Sequence, residues 1–327
     1  MTSHAPNPIS STAVAGGPLP FADPSVTAAP PNSPAAPPPD RNKEISDTYN
    51  SLESRIAWDL LCGGNRHYGY WDKDTKWPFP LSKGQRRMQE KLLEVLNLPP
   101  SSKILDVGCG DGHVAIDLAM RGDFEITAFD VVDRHVENAR RNVKKARLGD
   151  KVQIEKMDFA SLETLPEGSF DGVYTSESLL HAGDIEKALR GLLRVLRPGG
   201  HLVLHEYHND FMKGNIIGFP AVVAKMEGRG QGVAFPRAER FFRDVVARAG
   251  FESVEVRNYS DNIEPMARLL NISAAWRHVV LALHLKRFFP NSAAREEGYV
   301  GQQHWAYVSV FGRKPMGGAG LGLQVHA

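Results

Sequence analysis

Three places in the sequence carry residue types suited to a nucleotide-like ligand. The first is Ile104-Leu-Asp-Val-Gly-Cys-Gly-Asp-Gly-His113, an apolar run that ends in an acid and passes through three glycines. Gly108, Gly110 and Gly112 let the chain turn sharply and approach a ligand closely, where the N–H groups of a following helix point outward. The G-x-G-x-G spacing differs from the G-x-G-x-x-G of dinucleotide binders. Asp106, ahead of the glycines, would repel a pyrophosphate but pair with the ammonium group of an amino-acid ligand. The second place is Asp130, at the end of the next β-branched run, where a carboxylate can take both hydroxyls of a ribose or cap the helix that follows. The third is Asp158-Phe159: an acid beside a ring suits the amino edge and face of an adenine, and also suits a loop acid beside a core phenylalanine.

These residues need a scaffold, and the spacing supplies one. From Ile104 onward short β-branched runs alternate with helical periods, the signature of a parallel sheet flanked by helices. Strands are predicted at Lys103–Val107, Phe124–Phe129, Lys151–Lys156, Asp171–Thr175, His201–Tyr207, Ser253–Arg257 and Trp305–Phe311. Helical stretches at Ala115–Met120, Arg134–Ala146 and Ile185–Leu196 provide the crossovers. A further helix starts at Pro236, presents Phe241, Phe242, Val245, Val246 and Ala249 on one face, and stops at Gly250. The expected fold is thus α/β, a doubly wound, seven-stranded, mostly parallel sheet with a helical N-terminal segment. The apolar stretch 261–300 lies outside the alternation and is expected to form a helical cap over the ligand edge. Its surplus apolar residues, Met266 and Trp276 among them, are expected to line an acceptor pocket or a subunit contact.

Composition narrows the classes. The chain has 327 residues, a formal charge of +1 and two cysteines, Cys62 and Cys109. That balance gives no global pull on nucleic acid, and two cysteines exclude a disulfide-stapled scaffold and a thiolate-rich metal site. Eleven of the 22 prolines lie in the first 40 residues, so residues 1–42 read as a disordered Pro/Ala-rich arm, with 43–315 the folded domain and 316–327 a flexible tail. The arm lacks the basic start and apolar stretch of a secretory signal and the arginines of a mitochondrial presequence, which points to the cytoplasm. No run of about 18 apolar residues is free of charge, so no membrane span is expected.

The motifs in order resemble the class I S-adenosylmethionine-dependent methyltransferases: residues 104–112, Asp130, Met157-Asp-Phe159, Phe170-Asp-Gly-Val-Tyr174 and Arg194-Val-Leu-Arg-Pro-Gly-Gly200. His67-Tyr-Gly-Tyr-Trp71 and Glu177-Ser-Leu-Leu-His181 are similar to the branch that holds sterol, tocopherol and small secondary-metabolite methyltransferases of fungi and plants. The lack of an acidic aromatic motif around His67–Trp71 argues against a sterol. The resemblance implies a Rossmann-like methyltransferase fold, S-adenosylmethionine as cofactor and S-adenosylhomocysteine as product. It implies that Asp106, Gly108 and Gly110 contact the methionine part, Asp130 the ribose, and Asp158, Phe159 and Val131 the adenine. Tyr68, Tyr70 and Trp71 would close over the methionine end, and Glu177 would touch the cofactor or fix its loop.

A sulfonium methyl is already activated, so transfer to a small, partly apolar acceptor needs chiefly in-line geometry. A base is needed only for an acceptor protonated at working pH. His181, after the fourth strand, and Glu206, at the end of the fifth, are the catalytic candidates, with an oxygen or nitrogen acceptor preferred to carbon. His205-Glu-Tyr-His208 is not H-E-x-x-H, and in a strand His205 and His208 point to opposite faces, so no metal is expected. A small-molecule acceptor is expected, without nucleic-acid or integral membrane partners; homo-oligomerisation stays open. Two rivals remain at this point: a nicotinamide-dependent oxidoreductase on a related sheet, and a non-catalytic regulatory protein that uses the Pro30–Pro39 stretch as a partner ligand.

Overall fold

The computed structural model describes residues 40–209, 234–272, 283 and 305–317. Seven strands form one sheet: β1 (Lys103–Val107), β2 (Glu125–Asp130), β3 (Val152–Lys156), β4 (Phe170–Ser176), β5 (Leu196–Asn209), β6 (Glu252–Asn258) and β7 (Trp305–Arg313). Their order is β3-β2-β1-β4-β5-β7-β6. The pairings among β1 to β5 are parallel, and β7 runs antiparallel to β5 and β6. This is the α/β, mostly parallel sheet that the sequence pattern predicts.

Period-two alternation divides the core. Leu105 and Val107 join Phe129, Val173, Leu202 and Leu204 on one side, against helices Ile185–Val195 and Ala234–Arg248. Ile104 turns to the other side with Ile126, Ala128, Tyr174 and Val203, against helices Leu81–Leu96, His113–Gly122 and Asp133–Ala146. Both faces are covered, so the strands read as near-continuous apolar runs. Leu189 and Leu192 are fully buried on helix Ile185–Val195, and each such side chain stabilises the fold by about 1.5–3 kcal/mol. Asp184 caps that helix by accepting the Lys187 N–H at 2.8 Å.

The sheet places the site through its topology. From β1 the chain moves outward to β2 and β3, then returns to β4 on the other side of β1. The carboxyl ends of β1 and β4 therefore flank a switch point, where α/β sheets open a crevice. A third cluster lies near that end: Tyr68, Trp71, Met88, Tyr207, Ile263 and Met266 pack together with Tyr307.

Several boundaries differ from those read in the sequence. Helix α1 (Arg41–Asn50) starts inside the segment assigned to the arm, because Asp40 accepts the N–H groups of Asn42 and Lys43 and so caps it. The helix expected from Pro236 begins at Ala234. Strand β5 starts at Leu196 rather than His201: Leu196 pairs with Phe170, and a register irregularity follows. Of the expected cap, helix Ser260–Ile272 and Leu283 are described; Trp276 and the rest up to 300 lie outside the described residues. Met266 is fully buried in the third cluster.

Candidate active site

A cavity of about 300 Å³ opens at the switch point. The glycine loop forms its floor. The N–H groups of Gly108 and Cys109 both bond the Phe129 carbonyl at 2.9 Å, tying the loop to β2. Gly108 has φ +78°, a conformation that L side chains rarely adopt, and a β-carbon there would collide with Ser178. Ser178 in turn donates from Oγ to the Val107 carbonyl at 2.5 Å, so the loops after β1 and β4 are held against each other.

Asp130 stands at the wall formed by β2. Its Oδ2 accepts the Gly110 N–H at 2.9 Å and its Oδ1 accepts the Val132 N–H at 2.8 Å, with His135 Nδ1 at 3.3 Å from Oδ1. Burial raises its pKa, but these bonds outweigh burial and hold the carboxyl below its ordinary range. Val131, Asp158 and Phe159 line the same wall. Asp158 Oδ1 caps the turn Phe159–Thr164 through the Ala160 N–H at 2.7 Å, while its Oδ2 accepts from Asn42 Nδ2 at 2.9 Å.

Helix α1 roofs the cavity. Arg41, Asn42, Ile45 and Tyr49 line it from one helix face. Arg41 donates to the carbonyls of His181 (2.8 Å) and Leu180 (3.1 Å), and Arg134 donates to the Tyr49 carbonyl at 2.9 Å. Tyr49 Oη lies 3.3 Å from His181 Nε2. Burial, with a smaller contribution from Arg41, lowers the His181 pKa to about 4, so the ring is neutral at physiological pH.

Arg66 enters from the segment before the aromatic motif. Its Nη2 donates to Asp59 at 2.6 Å and to Asp111 at 3.3 Å, and its guanidinium lies 5.8 Å from the centre of the Tyr49 ring. Its Nε and Nη1 are buried and have no hydrogen-bond partner among the described residues. A buried guanidinium with two unused donors on a cavity wall suits a carboxylate.

Other expected site residues lie away from this cavity. Asp106 is 2% exposed and sits within the sheet behind the loop, where burial and then the Asp130 charge raise its pKa to about 7. It does not line the cavity. Tyr68, Tyr70 and Trp71 do not line it either. Tyr68 meets the Tyr307 ring edge-on at 5.9 Å, and Tyr70 meets Tyr259 at 5.2 Å. The Trp71 N–H donates to the Asn262 carbonyl at 2.9 Å, and Asn262 Nδ2 donates back at 2.8 Å. His67 ties this segment to helix Leu81–Leu96: its Nδ1 donates to the Tyr68 carbonyl at 2.8 Å, leaving Nε2 to accept from Gln89 at 3.1 Å. The motif thus fastens helix Leu81–Leu96 to helix Ser260–Ile272.

Glu206 is fully buried and turned to backbone. Its Oε1 accepts from Thr175 Oγ1 (2.8 Å) and from the N–H groups of Ser178 (3.0 Å) and Leu179 (2.9 Å), so it fixes the loop that carries the site rather than lining the cavity. Glu177 does line the cavity. Among the described residues no group of three or more His, Cys, Asp or Glu stands together as a metal site, and no helix is long and apolar enough to cross a membrane.

The comparisons with known proteins agree with this geometry. A methyltransferase domain model matches residues 104–200, from β1 into the first residues of β5. The chain is 41% identical over 283 residues to the S-adenosyl-L-methionine-dependent Diels-Alderase iccD of Talaromyces variabilis, covering 84% of this chain and 95% of that one. The chain belongs to the S-adenosylmethionine-dependent methyltransferase family. It is also 30% identical over 232 residues to the O-methyltransferase resE of Aspergillus sclerotiorum, covering 70% of this chain and 82% of the relative. Among solved structures, the [4+2]-cyclase SpnF superposes with a TM-score of 0.64 at 23% identity, covering 84% of this chain and 96% of that one, a likeness of fold.

S-adenosylmethionine is the cofactor of this family, and the cavity fits it. The unpartnered donors of Arg66 suit its carboxylate, the bare backbone of Gly108 admits close approach, and Asp130 and Asp158 present acids along the wall. Arg41, Asn42, Tyr49 and Arg66 escaped the sequence reading. The first three sit at helical spacing behind the N-cap Asp40, and Arg66 directly precedes the aromatic motif; both signals are visible but unspecific.

Proposed function

We propose that this methyltransferase-family protein binds S-adenosylmethionine without consuming it and cyclises a small, partly apolar molecule by [4+2] cycloaddition. The observation that carries this reading is the 41% identity to a relative named as a Diels-Alderase, spread over nearly the whole of both chains. That span is far longer than the matched methyltransferase core of residues 104–200 and so takes in segments outside it.

Cycloaddition forms two carbon–carbon σ bonds at the expense of π bonds, and no group leaves. Its demands are a folded substrate conformation and a hydrogen-bond donor where carbonyl density increases, which are proximity and electrostatic effects. The chain supplies a cavity whose roof is pinned by Arg41 and Arg134, and whose inner groups His181 and Glu177 are both neutral at physiological pH. S-adenosylmethionine would be held by Arg66, Gly108, Asp130 and Asp158 and would supply a sulfonium charge.

Methyl transfer to an oxygen or nitrogen is the second reading, supported by the relative named as an O-methyltransferase. There the neutral ring of His181 would take the acceptor's proton. The test is incubation with methyl-labelled S-adenosylmethionine and extract from the source organism with this gene deleted, so that the substrate accumulates. A product isomeric with its precursor, with the label left in the cofactor, is expected. Label in the product with matching S-adenosylhomocysteine would reject cyclisation in favour of transfer.

A further inference from the structure

Glu177 combines three unusual properties at one position. It is 7% exposed yet lines the cavity, and its φ of +58° lies in the left-handed region that non-glycine residues rarely occupy. Such backbone persists where the surroundings over-determine it, and here they do. The Glu177 N–H donates to the His205 carbonyl at 2.8 Å, while its Oε1 accepts from the Tyr68 N–H at 2.7 Å and from Tyr307 Oη at 2.8 Å. Both bonds fall on one oxygen. Oε2 takes no hydrogen bond from any described residue.

We propose that Glu177 grips a carbonyl oxygen of the substrate, donating a hydrogen bond from Oε2, and so makes conjugated carbonyl compounds the substrate class of this site. This rests on the cyclase reading above and names the substrate's recognised group. The surroundings keep the carboxyl protonated. The second buried carboxyl, Glu206, approaches from β5, Tyr307 from β7, Tyr68 from the aromatic motif, and Tyr49 from α1; Tyr207 and Cys62 also respond to the Glu177 charge. No described Lys or Arg is paired with it. Burial is the largest cause of a pKa raised to about 8, with Glu206 adding to it and the Tyr68 and Tyr307 bonds opposing it. Below that pH the acid is a donor; above it the carboxylate repels a carbonyl oxygen. Drawing density from a conjugated carbonyl activates the adjoining double bond toward a diene, so the same contact that selects the substrate favours the reaction.

The test uses the full chain loaded with S-adenosylhomocysteine, and methyl sorbate labelled with carbon-13 at its carbonyl as the probe. Difference infrared spectroscopy should show a downshifted carbonyl band on the parent at pH 7, lost as pH rises through about 8. Glu177→Gln keeps an N–H donor and both acceptor bonds, so it should keep a downshifted band with no change across that pH range. Glu177→Ala should lose the band and about tenfold in probe affinity, the worth of one hydrogen bond, while calorimetry shows S-adenosylhomocysteine still bound. An undisplaced band on the parent, or the same alkaline loss in Glu177→Gln, overturns the proposal. The two readings fail separately. Cyclisation in the extract assay that survives Glu177→Ala unchanged rejects this site and keeps the reaction, whereas a downshift lost in Glu177→Ala without cyclisation keeps the site and rejects the reaction.

Discussion

Replacing Arg66 by methionine keeps the apolar length of the side chain and removes the guanidinium. In the folded protein Arg66 is 8% exposed and bridges Asp59 and Asp111, the latter 5% exposed. Breaking a buried pair costs about 3–5 kcal/mol when the remaining charge is stranded. Here Asp59 keeps Arg134 at 2.6 Å and Asp111 keeps Asn138 at 3.2 Å, so the loss should be smaller, about 1–3 kcal/mol. The effect on binding is separate. Hydrogen bonds to a charged group contribute about 1.5–3 kcal/mol, which corresponds to roughly 10- to 100-fold in affinity for a carboxylate held by Nε and Nη1. Calorimetry should compare S-adenosylhomocysteine with its decarboxylated analogue on both proteins. The parent should prefer the carboxylate-bearing ligand by that factor, and Arg66→Met should bind the two alike. Equal loss of affinity for both ligands in a folded variant would refute the assignment and make Arg66 a brace between the glycine loop and its neighbours.

Three further outcomes follow from the same geometry. A chain lacking residues 1–39 should bind S-adenosylhomocysteine like the parent, whereas removing 1–50 should weaken binding by an order of magnitude or more, because Arg41, Asn42 and Tyr49 line the cavity; titration calorimetry on both truncations checks this. Met266→Ala should lower stability by about 2–5 kcal/mol in denaturant unfolding, with cofactor affinity in the surviving folded protein unchanged, since the side chain is fully buried among aromatic rings. Glu206→Gln should alter the pH dependence of stability: burial raises the Glu206 pKa to about 7, so the folded protein holds a proton the unfolded chain releases above its ordinary pKa of about 4.3, and parent stability should fall as pH rises between those values. In melts from pH 4 to 8 the variant's slope should be shallower by one proton's worth, about 1.36 kcal/mol per pH unit, with Glu177 and Asp106 keeping their share, and an unchanged slope would remove Glu206 as a contributor.

The sequence by itself determined the sheet and the order of its strands along the chain. Its signals there are local: β-branched runs alternate with helical periods, Gly108 and Gly112 need positive φ, and Asp130 ends a strand wherever that strand is placed. The cofactor follows from the same local motifs, and so does the position of Asp158 and Phe159 on the cavity wall. Only the tertiary structure decided which acids face the ligand. Asp106, Glu177 and Glu206 are alike as residue types near strand ends, yet Asp106 is buried in β1, Glu206 bonds the backbone of the loop after β4, and Glu177 lines the cavity. Strand parity and a single left-handed residue set those directions, and neither changes the hydrophobic pattern that sequence reading relies on. The roof is the same case. Helix α1 buries no residue and is held by polar bonds from Arg41, Asn42 and Arg134 to groups far along the chain, so no periodicity marks it as part of the site. The aromatic motif His67–Trp71 shows the converse: its composition suggests ligand contact, but His67 fastened to Gln89, and Trp71 to Asn262, make it a joint between two helices.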